Sequence, residues 1–85
     1  MNTFFALLAE FETADIPLDR VCDKYMGMDY KTALRRASTQ QLPVPVYKTG
    51  SQKSPWLVSA KDLAEHIDKC RAEARRVHHA MQGAA

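Results

Sequence analysis

Residues 18–37, LDRVCDKYMGMDYKTALRRA, hold two short apolar-periodic segments on either side of Gly27. In the first, Leu18, Val21, Cys22 and Tyr25 recur at helical spacing. Pro17, just before it, is suited to opening a helix, because the N–H it lacks would have no partner there. Gly27 supplies the positive φ that a helix end commonly requires. Asp29 stands where an N-cap belongs, its carboxylate able to accept from a free amide of the next turn. In the second segment Ala33, Leu34 and Ala37 form the inward set, and the small Cys22 suits a close crossing of the two helices. Two short helices around a glycine turn predict a helix-turn-helix over about 18–41.

The composition changes after Leu42. Pro43-Val44-Pro45-Val46-Tyr47 and Trp56-Leu57-Val58 are rich in β-branched and aromatic residues, and a polar run, 48–55, separates them. This predicts a two-stranded hairpin over about 44–58, which its prolines confine to an edge ribbon. Directly after a helix-turn-helix, such a hairpin is a wing. Ser59, with Asp62 three residues on, resembles a capping box and opens a last helix over about 60–82. At ~1.5 Å per residue that helix is on the order of 34 Å long, more than so small a domain needs. Its apolar positions, Leu63, Ile67, Cys70, Ala74, Val77 and Met81, alternate in steps of four and three, which is a heptad seam. A single copy would leave the far half of that seam bare, so a dimer contact through Cys70, Ala74, Val77 and Met81 is predicted. The alternative is a seam that packs back on the N-terminal helix.

Upstream, Phe4, Leu7, Leu8 and Phe11 favour a helix over 3–12, although Phe5, Leu7, Ala9 and Phe11 also fit a strand. Gly83-Ala84-Ala85 is expected to be disordered. The expected architecture is one domain over 1–85, mainly α with a small β-hairpin: a winged helix-turn-helix with a long C-terminal helix.

Charge adds a functional direction. The formal net charge is only +2, but no Asp or Glu occurs from 30 to 61, where Lys31, Arg35, Arg36, Lys48, Lys53 and Lys61 lie. The six acids of residues 1–29 face only Arg20 and Lys24, and residues 62–85 balance four acids with four bases. The whole positive excess therefore sits in residues 30–61, on the predicted second helix, the wing and the first turn of the last helix. A local cationic field of this kind suits nucleic acid, since each phosphate neutralised releases a condensed counterion. On the second helix Tyr30, Lys31, Thr32, Arg35 and Arg36 occupy early outward positions, those that enter the major groove in helix-turn-helix proteins. Arginine can read guanine O6 and N7 bidentately, and threonine can touch a thymine methyl or a phosphate. Gln40 and its neighbour Gln41 lie near the helix exit. In the wing, Lys48, Ser51, Gln52, Lys53 and Ser54 offer donors without competing carboxylates, a composition suited to phosphate contacts. Trp56 is expected in the core rather than as a base-stacking platform.

Other classes find little support. His66 and Cys70, one turn apart, are too few ligands for a closed zinc site, so no metal or cofactor is expected. No glycine-rich phosphate loop or nucleophile–base arrangement appears, so an enzyme is not expected. No segment approaches the ~20 apolar residues that span a bilayer, and the N-terminus lacks the basic start of a secretory signal. Cys22 and Cys70, far apart on helical patterns, fit small reduced core residues of a cytoplasmic protein better than a disulfide framework.

The run Ile16-Pro17-Leu18-Asp19-Arg20-Val21-Cys22-Asp23-Lys24-Tyr25, the tip Ser51-Gln52-Lys53-Ser54 and the segment Asp62-Leu63-Ala64-Glu65-His66-Ile67-Asp68-Lys69 resemble the pyocin activator protein (PrtN) family of bacterial prophage regulators. The resemblance covers the chain from Asn2 to about Ala74, and the Ser-Gln-Lys-Ser tip is its most specific part. More loosely, the order of elements looks like the excisionase and MerR-like winged-helix superfamily. The resemblance implies a sequence-specific activator of bacteriocin or phage-derived genes, with Ser51, Gln52, Lys53 and Ser54 on DNA. The stretch 29–36 departs from the family pattern, so the DNA sequence read does not carry over. The partners expected are double-stranded promoter DNA, a second copy of the chain, and RNA polymerase or a phage or host regulator. Two rival readings are an excisionase-like architectural factor and a protein-binding regulator that uses the seam with Phe4 and Phe5.

Overall fold

Asn2 caps the first helix, its side-chain oxygen accepting from the Phe5 amide at 2.8 Å. The computed structural model describes residues 2–83. Helix α1 (Thr3–Phe11) ends at Glu12, a non-glycine residue in the left-handed region at φ 58. Leu7 and Phe11 are buried while Phe4 and Leu8 pack partly against the core, so the helical period, not the period of two, describes this segment. Arg20 lies 5.0 Å over the Phe11 ring and donates to the Phe11 carbonyl at 3.4 Å, closing the end of the helix.

The next segment corrects two expectations. Residues 15–17 form a strand, β1 (Asp15–Pro17), which pairs antiparallel with residues 57–59. Pro17 ends this strand and also stands as the N-cap of the helical turn that follows, a place compatible with its missing N–H because β1 is an edge. Leu18–Arg20 is then a single 3-10 turn, and α-helix is confined to α2 (Cys22–Met26). Gly27 ends α2 at φ 67, as its position predicts. Asp29 caps α3 (Tyr30–Ala37), accepting from the Thr32 amide at 2.9 Å.

Strands β2 (Val46–Tyr47) and β3 (Leu57–Ser59) form the expected hairpin, but β3 also pairs with β1. The result is a three-stranded antiparallel sheet in the order β1-β3-β2 rather than an isolated ribbon. Ile16 and Val46 both register with Val58, and all three side chains are buried. Two further bonds extend the β1–β3 edge: the Leu18 amide donates to the Trp56 carbonyl and the Ala60 amide to the Ala14 carbonyl. The Tyr47 hydroxyl donates to Asp15 from the far side of the sheet. Burial, and then this bond, push the Tyr47 phenol up to about 12.

Ser59 opens α4 (Ala60–Gly83), accepting from the amides of Lys61 and Asp62 at 3.2 and 3.5 Å. At ~1.5 Å per residue, α4 is about 36 Å long, within a molecule 54 Å along its longest axis. Ala60, Leu63 and Ala64 are buried, and α4 packs on α1 and β3. Thr3 donates to Asp68 at 2.5 Å and receives from Arg71 at 3.1 Å, the last links between α1 and α4. Beyond them every residue from 69 to 83 is exposed. Gly83 is still helical, and Ala84 and Ala85 lie outside the described residues. No helix among the described residues is long and apolar enough to cross a membrane.

Candidate nucleic-acid interface

Helix α3 owes its orientation to very small side chains. Ala33 and Ala37 are its only buried residues, facing α2 and the 3-10 turn, so its backbone lies close to the core. Lys31, Arg35 and Arg36 are exposed, Tyr30 is exposed, and Thr32 is half-buried. Leu34, expected inside, is 37% exposed. With 100° per residue, the buried arc centres between Ala33 and Ala37 and leaves Leu34 on its margin. The Asp29 carboxyl is held below its usual value by its hydrogen bonds to Thr32, so it stays ionised as the cap.

The exit of α3 has a function that its polar sequence does not reveal. Gln40 adopts a left-handed φ of 53. Its amide donates to the Ala37 carbonyl and that of Gln41 to Arg36, the paired bonds of a Schellman ending in which glycine is the usual residue. The Gln40 side chain donates to the Val46 carbonyl at 3.3 Å. Gln40, expected as a DNA contact, thus ties α3 to the strand that leads into the hairpin tip.

In the tip, Ser51, Gln52 and Lys53 are exposed and Ser54 is half-buried. The Ser51 carbonyl accepts from the Ser54 amide at 2.9 Å, and its hydroxyl accepts from the Lys53 amide at 3.3 Å. This turn leaves the Lys53 side chain on the surface. Lys48 folds inward instead: its Nζ donates to the Gln52 carbonyl at 2.7 Å and sits 4.7 Å from the Trp56 ring centre. The half-buried Trp56 therefore carries a cation within the chain.

Among the described residues there are three ion pairs: Lys24–Glu10, Arg71–Asp68 and Arg76–Glu73. None involves a cation of the acid-free window. Lys31, Arg35, Arg36, Lys48, Lys53 and Lys61 thus stand on α3, the hairpin and the start of α4 without a carboxylate partner among the described residues.

The predicted dimer residues Cys70, Ala74, Val77 and Met81 all lie on the exposed part of α4. They line one shallow apolar depression together with His66. Cys70 Sγ is 3.7 Å from His66 Nε2, and no group of three metal-binding side chains occurs among the described residues. Cys22 is buried, which pushes its thiol up and leaves it unreactive.

No curated protein and no solved structure matches this chain significantly. A family model does match, that of the pyocin activator protein PrtN, over residues 3–74. The match runs from α1 through α3 and the hairpin into the exposed part of α4. Spanning most of the chain, it shows that the protein belongs to the pyocin activator protein PrtN family, a regulatory and not an enzymatic family.

Proposed function

We propose that the protein is a sequence-specific DNA-binding activator of pyocin-like prophage and bacteriocin genes. In this reading α2, Gly27 and α3 act as a helix-turn-helix and the β2–β3 hairpin as its wing. Helix α3 enters the major groove through Tyr30, Lys31, Thr32, Arg35 and Arg36, and Lys53 with its tip neighbours grips the flanking backbone. The observation that carries the proposal is the clustering of five cations on α3 and the hairpin, with a sixth, Lys61, at the start of α4, none of which has an ion-pair partner among the described residues. A phosphate backbone would supply the missing anions. Two copies joined along α4 would double the phosphate contacts and fix the spacing of two half-sites.

Selection of bound oligonucleotides from a random pool tests specificity and symmetry together: the expected product is a palindromic motif. Lys53→Ala should weaken binding to all sequences alike and lower the slope of log affinity against log salt by about one. An unchanged slope and affinity would remove the tip from the interface. Failure to enrich any motif would remove sequence specificity and leave the architectural reading. The exposed Phe5 and Met81, 58% and 70% accessible, favour protein binding as a second reading. A partner that persists in a pull-down from nuclease-treated lysate would support that reading over DNA tethering.

A further inference from the structure

Two apolar side chains on α3 remain partly open to solvent. Leu34 is 37% exposed and Tyr30, one turn earlier, 42%, whereas Ala33 and Ala37 are completely buried. Residues four apart on a helix are surface neighbours, so Tyr30 and Leu34 form one row, and Lys31 and Arg35 the row beside it. An apolar pair thus lies directly alongside two cations that have no ion-pair partner among the described residues. An apolar protein surface docked here would have to desolvate Lys31 and Arg35 without compensation. The major groove offers anionic walls to the cations and, at A·T pairs, a projecting apolar group, the C5-methyl of thymine.

We propose that Leu34, with Tyr30 beside it, reads thymine methyl groups in the major groove and so sets sequence preference next to the positions contacted by Lys31 and Arg35. This rests on the DNA-binding reading of α3 and adds a chemical class of base contact to it. Leu34 has no donor or acceptor, so its discrimination comes only from taking a methyl group out of water. That is worth roughly fourfold in affinity per methyl.

The test uses the full chain and the duplex enriched from the random pool, with each thymine replaced in turn by deoxyuridine, which lacks only the methyl. Affinities are measured at one salt concentration for the wild type, Leu34→Ala and Leu34→Met. For the wild type, one or two positions should lose roughly fourfold on replacement. Leu34→Ala should bind the thymine and uracil duplexes equally, and Leu34→Met, still apolar and long, should keep the difference. Because Leu34 lies at the surface, circular dichroism of both variants should match the wild type. If the wild type binds the duplex but no uracil position matters, the methyl-reading proposal is wrong and DNA binding stands. If Leu34→Ala keeps the whole thymine preference, Leu34 is not the reader. If no duplex is bound at all, both this inference and the DNA reading beneath it fail.

Discussion

Glu10 receives a hydrogen bond from the Tyr25 hydroxyl at 2.6 Å and an ion pair from Lys24 at 3.0 Å, so one carboxylate ties α1 to α2. The Tyr25 bond, and then Lys24, hold its carboxyl below the usual 4.5. Because the folded value is the depressed one, this contribution to stability is present above about pH 4.5 and is lost as pH falls through the lower folded value. The pair is largely exposed, so the effect is small. Glu10→Gln should be less stable than the wild type at pH 7, and the gap should narrow as the pH falls below 4.5. Urea midpoints across this range check this, and a gap that stays constant would show that ionisation of Glu10 contributes nothing.

At the scale of elements, the best cue in the sequence was punctuation. Gly27 and Asp29 mark the turn and the cap because each has a single local reason to be there, and the structure keeps both roles. Replacing Asp29 with Ala leaves the Thr32 amide without its acceptor and should lower the Tm by a few degrees. Thermal unfolding measures it, and an unchanged Tm would deny the cap its part in holding α3. Strand β1 was not legible, because its partner lies about forty residues away and nothing in Asp15-Ile16-Pro17 announces it. Pro17 signalled a break correctly, but a proline break suits a strand edge as well as a helix start. Leu34 was misplaced for a different reason: on an eight-residue helix whose buried residues are both alanines, the apolar arc is narrow. Nor do single residues reveal that Gln40 and Lys48 spend donors within the chain, since both depend on carbonyls brought near by folding.

For the whole molecule, the length of α4 poses the question of partners. Val77 and Met81, 43% and 70% exposed, lie on the part of the helix that is exposed throughout. Pairing of two copies along this face predicts a concentration-dependent dimer in high salt free of nucleic acid. Val77→Asp should shift it to monomer with the helical spectrum intact, as read by sedimentation equilibrium. A dimer indifferent to that change would place the contact elsewhere. The sheet order has a consequence of its own. β3 carries β1 on one side and β2 on the other, so the hairpin arm can peel away while β3 stays anchored to β1. Native-state amide exchange should therefore separate the two edges: protons shared by β1 and β3 should be retained longest, and those of β2 released early. An arm that opens at β2 alone would adapt to the shape of whatever it grasps at the expense of the Val46, Gln40 and Tyr47 contacts, while the β1–β3 pairing stays whole.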